Sequence, residues 1–458
     1  FQMFQVTVGL PSGRKEEFSI PQSSKVGDFH LLAPKSCPVG FLRLVTAEGL
    51  QLVDPAESLV AYGVQDGDHL TAIVLEAKPQ AEEAFALWCY GGDNILTWGN
   101  PEFGGDNSQV QDQLRRVQQL QATGRAFAAI LWDGQVVTWG RAAYGGDSSQ
   151  VRNQLQAVRQ LQATESAFAA IRADGSAVTW GDPDAGGDST EIQEKLNGVQ
   201  QLQATGRAFA AILADGDVVT WGSQSCGGDS SGVQLELRTV QQIQATGHAF
   251  AAILANGSVV TWGHPAYGGD SSKVREKLGK VRQIQATSGA FAAILTDGSV
   301  VTWGDAICGG DSSDVQHRHF GLALCFHHRP MDRGQLSGVQ QIQATGRAFA
   351  AILSDGHVVT WGCPFCGGDS SEVRLELRGV QAVQATAQAF AAILANGAVV
   401  TWGHPGYGGD SSKVRYGLYD VWQIQATESA FAAIRADGSA VAWGASGYTG
   451  DRCPSDAS

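Results

Sequence analysis

Residues 199–237 read VQQLQATGRAFAAILADGDVVTWGSQSCGGDSSGVQLEL, and the same string, with small changes, fills most of the 458-residue chain. Its tryptophan returns at Trp139, Trp180, Trp221, Trp262 and Trp303, each 41 residues after the last, and again at Trp361, Trp402 and Trp443. An eroded copy ends at Trp98, which makes nine. A unit this short cannot bury both faces of its strands alone, so it has to stack on copies of itself.

Three strand-like runs lie in the string: Val199 to Thr205, Ala208 to Ala214 and Asp217 to Trp221. Asp215-Gly216 joins the second to the third as a tight hairpin, and Asp133-Gly134, Asn256-Gly257 and Asp437-Gly438 fill the same slot elsewhere. In AFAAIL, alternation sends Phe209 and Ala211 to one side and Ala210 and Ile212 to the other, so both faces are apolar or small and the strand belongs inside a stack. The tryptophan that ends the third run reads as a packing wedge between neighbours rather than as a light-sensing or ligand-stacking cluster. After it, Gly227-Gly228 permits a tight turn, and Asp229 is placed to cap a short helix carrying Val233 and Leu237 on one face. That aspartate recurs at Asp106, Asp147, Asp188, Asp229, Asp270, Asp311, Asp369 and Asp410. Helix capping is its expected role, because no copy supplies the several oxygen ligands of a calcium loop.

Nine hairpins are present but only eight first strands, starting at Val117, Val158, Val199, Val240, Val281, Val339, Val380 and Val421. One end of the array is therefore incomplete. Either a ring closes by borrowing a strand across the termini, or the array stays open as a solenoid.

Net charge is −14, split as −3 for residues 1–78 and −11 for the rest. Such a surface repels phosphate backbones and anionic lipid, so neither nucleic acid nor membrane is an expected partner. No stretch approaches the ~20 apolar residues of a spanning helix, and the start FQMFQVTVGL lacks a charged leader region. A soluble chain of the cytoplasm or nucleus is the expectation. Eight cysteines are too few for a disulfide scaffold and point to reduced thiols. Cys363-Pro364-Phe365-Cys366 has the spacing of half a zinc or redox site, but the slot of Cys366 holds Tyr144, Ala185 or Tyr267 in other copies and no second such pair exists. Between Asp311 and Val339 lie 17 residues more than between Asp270 and Val281, an insertion near 315–334 holding His317, His319, Cys325, His327 and His328. Its spacing matches no standard metal site. No Ser-His-Asp set, phosphate loop or HExxH string is visible, so no catalytic residue, metal or cofactor is assigned.

The first 78 residues have another character. Phe4, Val6 and Val8 alternate, Pro11-Ser12-Gly13 turns, and Phe18 and Ile20 continue a hairpin; SSKVGDFHLLAP follows as a short amphipathic helix from Ser23 or Ser24 to Pro34, and FLRLVTAEGLQL and DHLTAIVLEA add strands. This order, with the string LRLVTAEGLQLVDPAESLVAYGVQDGDHLTAIV, resembles ubiquitin and ubiquitin-like domains. The resemblance implies a small α+β, β-grasp head over 1–78 in which Leu10, Val45 and Ile73 take the place of the apolar patch gripped by ubiquitin receptors. Leu75-Glu76-Ala77-Lys78 runs on without Gly-Gly, so the head reads as a docking tag rather than a conjugated modifier.

Residues 84–451, about 80% of the chain, resemble the regulator-of-chromosome-condensation repeat family through Gly257-Ser258-Val259-Val260-Thr261-Trp262-Gly263 and the Gly-rich turn after it. The period is shorter and the hairpins more numerous than in that family. The implied architecture is a β-propeller with three-stranded blades, followed by a tail at 452–458. Copies agree in their strands but differ after Trp-Gly, as in Asn100-Pro101-Glu102 and His264-Pro265-Ala266, and before Ala-Phe, as in Glu165-Ser166 and Gly247-His248. A constant frame with changing tips is how repeat proteins recognise partners. The expected function is a non-catalytic protein-binding scaffold linked to the ubiquitin pathway. Two alternatives are the substrate-recognition part of a ubiquitin ligase, since HECT-type ligases carry similar arrays, and a nucleotide-exchange propeller. With the array running to Asp451 and the chain to Ser458, no catalytic lobe is expected.

Overall fold

The computed structural model describes residues 3–9, 15–21, 42–45, 69–74, 84–88, 95–313 and 336–445, apart from 438. Leu10, the helix expected between Ser23 and Pro34 and the whole histidine-rich insertion lie outside the described residues.

At the start of the chain, β1 (Met3–Gly9), β2 (Lys15–Pro21), β3 (Leu42–Val45) and β4 (His69–Val74) make one sheet in the order β2-β1-β4-β3. β1 runs antiparallel to β2 and parallel to β4, and β3 is antiparallel to β4. The array opens with a two-stranded sheet, β5 (Ala84–Trp88) and β6 (Ile95–Gly99). Eight three-stranded antiparallel sheets follow, β7 to β30, from residues 117–140 through 421–444. The count matches the nine hairpins and eight first strands of the sequence, and the eroded first copy is the one short of a strand.

Copy 4 shows the plan: β13 (Val199–Ala204), β14 (Ala208–Leu213) and β15 (Val218–Gly222), with β14 in the middle. The hairpin between β14 and β15 turns at Asp215-Gly216, where Gly216 has φ +82° and the Asp215 carboxylate accepts from the Asp217 N–H at 3.0 Å. Phe209 and Ala211 pack on Ala167, Ala169 and Ile171 of the preceding copy, while Ala208, Ala210 and Ile212 pack on Phe250 and Ala252 of the following one. Each interface thus sets a large ring against small side chains, which lets neighbouring sheets approach closely.

The tryptophan is the expected wedge. Trp221 is buried, stacks on Phe209 with centroids 5.3 Å apart, and donates from Nε1 to the Gly186 carbonyl of the preceding copy at 3.0 Å. Gly186 sits at φ +92°, and a Cβ there would come within 2.7 Å of Phe209 Cδ2. The glycine and the two rings interlock adjacent copies.

After Gly-Gly the expected short helix forms as a six-residue 3-10 helix in two copies, Thr190–Lys195 and Ser412–Gly417, and as a single 3-10 turn in two others, Gln111–Gln113 and Arg275–Lys277, but not in copy 4. In copy 4 the segment 229–237 folds as hydrogen-bonded turns, with one helix-like bond from Leu237 N–H to the Val233 carbonyl at 3.2 Å. Nucleating a helix fixes several residues for one hydrogen bond, and here Thr239 must swing to φ +54° to enter the next strand, which ends any helix early. Asp229 instead closes an Asx turn, accepting from the Ser231 N–H at 2.8 Å. Ser230 accepts from Thr220 Oγ1 at 2.9 Å and so ties the turn to β15.

Equivalent backbone points on successive copies come within hydrogen-bonding distance at one place, the turn between the first two strands. Gly124 N–H donates to the Glu165 carbonyl, Glu165 to Gly206, Gly206 to Gly247 and Gly247 to Ser288, all at 2.7–2.8 Å. Ser288 then donates to Gly346 across the inserted segment, Gly346 to Ala387 and Ala387 to Glu428, each at 2.8 Å. Backbones bonded in this way lie ~5 Å apart, whereas stacked sheet faces stand ~10 Å apart. A stack that advances by the smaller step along this line and by the larger one elsewhere has to curve, which gives the array its propeller-like form. β4 lies against β29 (Ala430–Arg435) and β30 (Ala440–Gly444) of the last sheet. Nine residues lie between Val74 and Ala84, a reach of at most ~35 Å from one to the other, so curvature brings the two ends of the array near each other.

Candidate functional site

The tips that vary between copies are assembled by residues that do not. In copy 4 the turn Thr205-Gly206-Arg207 is held by the Thr205 hydroxyl, which accepts from the Ala208 N–H and donates to the Cys226 carbonyl, both at 3.0 Å. Ser223 N–H donates to the Arg207 carbonyl at 2.9 Å. The loop after Trp-Gly and the loop before Ala-Phe are thereby joined into one tip. The same threonine bond recurs from Thr123 to Tyr144, Thr246 to Tyr267 and Thr386 to Tyr407 at 2.9–3.1 Å. The bonded ladder runs through these tips, so they stand side by side along one rim.

What each tip presents differs. In copy 2 the Arg125 guanidinium lies 4.7 Å from the ring centre of Phe103 and 5.1 Å from that of Tyr144, between two adjacent tips. Arg207 faces Asp182 at 3.8 Å. His248 stacks on Tyr267 at 4.6 Å, with His264 edge-on to the same ring at 4.9 Å. Arg347 is exposed beside Cys308.

A second column lies along the first strands. Between Val199 and Gln201 the register with β14 slips by one residue, a bulge repeated in all eight sheets. The extra residue is exposed: Gln118, Arg159, Gln200, Gln241, Arg282, Gln340, Gln381 or Trp422. A bulge re-aims the residue it inserts, and Arg159 and Arg282 each reach a carbonyl of the next copy, Val199 and Gln340, at 2.7 Å. Neither ladder nor bulge was expected from the sequence. The doubled glutamine of VQQ, which breaks strand alternation, is the signal that points to the bulge; a ladder of main-chain bonds through Gly, Glu, Ser and Ala leaves no side-chain signature.

Of the proposed patch, Val45 stands in β3 opposite Thr71 and Ile73 in β4 opposite Arg43. The recurring aspartates are exposed, and the Ser or Thr two residues on holds the carboxyls of Asp106, Asp147, Asp188, Asp229, Asp270, Asp311 and Asp410 below the ordinary value of 3.8. Backbone N–H bonds lead at six of them and the Thr190 hydroxyl at Asp188. Cys363 and Cys366 are free thiols, the first capping and the second ending a one-turn 3-10 segment, Pro364–Cys366. Burial pushes the Cys366 thiol up to about 11, which keeps it protonated and a poor nucleophile at neutral pH. Among the described residues no group of three His, Cys, Asp or Glu side chains is arranged to hold a metal ion, and no helix is long and apolar enough to cross a membrane.

The class that this geometry defines is an all-β repeat array of three-stranded antiparallel sheets with a propeller-like curve. No protein-family model matches the chain, and no curated protein matches it. Solved structures resemble it at low identity. Human WBSCR16 is 16% identical over 51% of this chain and 77% of its own, with a TM-score of 0.34. Prp20p from Saccharomyces cerevisiae, described with binding properties to Gsp1p and histones, is 17% identical over 64% of this chain and 83% of its own, with a TM-score of 0.35. The computationally designed Ika8 protein is 14% identical over 71% and 95%, with a TM-score of 0.31. At these TM-scores the likeness bears on neither partner nor activity.

Proposed function

We propose that the chain is a non-catalytic protein-binding scaffold that recognises a partner through the rim of tips. The observation that carries this reading is the contrast within each tip. The threonine and ladder bonds repeat from copy to copy, while the residues they display change among arginine, histidine, carboxylate, aliphatic and aromatic. Fixed geometry with changing chemistry is what surface recognition by a repeat protein needs. The rim supplies aromatic residues and arginines, the types that dominate protein interfaces. Capture of partners on immobilised full-length chain tests it. Charge reversals Arg207→Glu and Arg125→Glu together should remove bound protein, whereas Asp215→Lys at the opposite hairpin tip should not; equal recovery from both variants and the parent chain sinks the reading.

The array reads as a closed ring. Ala430, Ala432 and Ile434 on the outer face of its last described sheet are buried, and β4 lies against that sheet. Small-angle scattering distinguishes a closed form, with a radius of gyration of about 23 Å for a chain of this length, from a straight stack near ~30 Å.

The head at 1–78 is read as a ubiquitin-like docking tag for ubiquitin receptors. The sheet order β2-β1-β4-β3 with β1 parallel to β4 supports this, as does a register that puts positions 45 and 73 on one side of the sheet. Loss of ubiquitin-receptor binding on changing Leu10, Val45 and Ile73 to Ala is the expected outcome, and undiminished binding removes the ubiquitin link while leaving the rim untouched.

A further inference from the structure

One sector of the rim departs from the rest. The third residue after Trp-Gly is Glu102, Ala143, Asp184, Ser225, Ala266 or Gly406 in six copies, but Ile307 and Phe365 in the adjacent copies that flank the insertion. Both side chains stand out from the surface, Ile307 at 62% and Phe365 at 79% exposure. Their tips are neighbours, joined by the bond from Ser288 to Gly346 and by Trp361 Nε1 donating to the Gly309 carbonyl at 3.1 Å. In copies 1 and 2 the guanidinium at the equivalent place sits between the residues at the fourth position of two adjacent tips. Arg347 takes the place of Arg125 in its copy, with Cys308 and Cys366 in the slots of Phe103 and Tyr144. A cation therefore stands between the turns that carry Ile307 and Phe365, which belong to sheets stacked ~10 Å apart.

The charge on that cation is available. Arg207 faces Asp182, and the residue corresponding to Asp182 beside Arg347 is Asp305. Asp305, however, accepts from the Ile307 N–H at 2.9 Å and the Cys308 thiol at 3.4 Å. Among the described residues Arg347 makes no ion pair.

Resting on the rim reading above, we infer that this sector binds a peptide segment of a partner protein in which a single carboxylate lies beside one or two large apolar side chains. The carboxylate pairs with the Arg347 guanidinium, a charge-assisted and potentially bidentate bond. The apolar side chains bury Ile307 and Phe365, an aliphatic and an aromatic anchor flanking the charged pair. A polyacidic segment is disfavoured because the array as a whole is acidic.

The test uses the full chain and fluorescein-labelled ten-residue peptides holding one Glu or Asp next to Leu, Phe or Trp, read by fluorescence polarisation. Controls carry Lys for the acid or Ser for the apolar residue. Saturable binding is expected, lost by about tenfold or more in Phe365→Ser and in Ile307→Ser, with Arg347→Glu shifting preference to the Lys peptides. These side chains are exposed, so the variants should stay folded, which the circular dichroism of each checks. Failure of every acidic-apolar peptide to bind, or binding unchanged in the Ser variants, overturns the inference. If the Ser variants still capture the natural partner while the Arg125 and Arg207 reversals do not, this sector is wrong and the rim reading stands. If no rim variant alters capture, both fall.

Discussion

In copy 4, strand β14 and the tip formed by Arg207 and Ser223–Cys226 are a few residues apart in space and obey opposite rules. β14 begins AFAAI in eight of the nine copies because each of these side chains faces a neighbouring sheet and none has room to change. The tip is anchored by main-chain groups and one threonine hydroxyl, so its side chains are not needed to hold it. Identity of sequence therefore marks where one copy supports the next, and divergence marks where the array meets other molecules. Sameness here is structural, and difference is where function lies.

Substitutions separate the two regimes by size of effect. Trp221→Ala should cost ~3–5 kcal/mol, since it empties a buried wedge and orphans the Gly186 carbonyl; the shift in urea midpoint measures it, and a loss below about 1 kcal/mol breaks the comparison. Gly186→Ala should cost ~2–3 kcal/mol, because a methyl at φ +92° meets the Phe209 ring at 2.7 Å. Thr239→Gly should act in the other direction. A β-branched residue at φ +54° is strained, and relief of that strain stabilises by about 1 kcal/mol. Arg207→Ala, with a 3.8 Å ion pair between partly exposed groups, should change stability by less than ~0.5 kcal/mol while weakening partner capture.

Acid provides a further handle. The carboxyls of Asp229 and its six counterparts titrate below the ordinary 3.8 in the folded chain. Their contribution to stability is therefore complete above that value and disappears as pH falls through the lower folded one. Thermal melts from pH 5 downward should show this loss, and Asp229→Asn, which keeps the Asx acceptor, should flatten part of it. A slope identical to that of the parent chain removes the Asx turn as its source.

Much of the stack was legible in the sequence. Trp spacing gave the copies, Asp-Gly gave the hairpins, and the alternation of Phe209, Ala210, Ala211 and Ile212 assigned the two faces that the structure shows. In copy 4 the segment after Gly-Gly misled because Val233 and Leu237 carry helical spacing, which a single turn satisfies as well as a helix does. At the rim, variation was visible but adjacency was not. Nothing in the letters says that residue 207 meets residue 223, because a carbonyl and an amide make that contact. The exposure of Ile307 and Phe365 was likewise hidden, since an apolar residue in a turn reads as buried until its neighbours are placed.

Every rung of the ladder points the same way: the amide of the earlier copy gives its hydrogen to the carbonyl of the later one, from Gly124 through to Glu428. The assembly consequently has a polarity, like a necklace of hooks and eyes all sewn in one sense. Its beginning offers an eye and its finish a hook, so the two can fasten to each other but neither can fasten to its own kind. The step from Ser288 to Gly346 is fastened at the same length as the others despite the longer thread between. Extra residues between two units are therefore absorbed without a change of pattern.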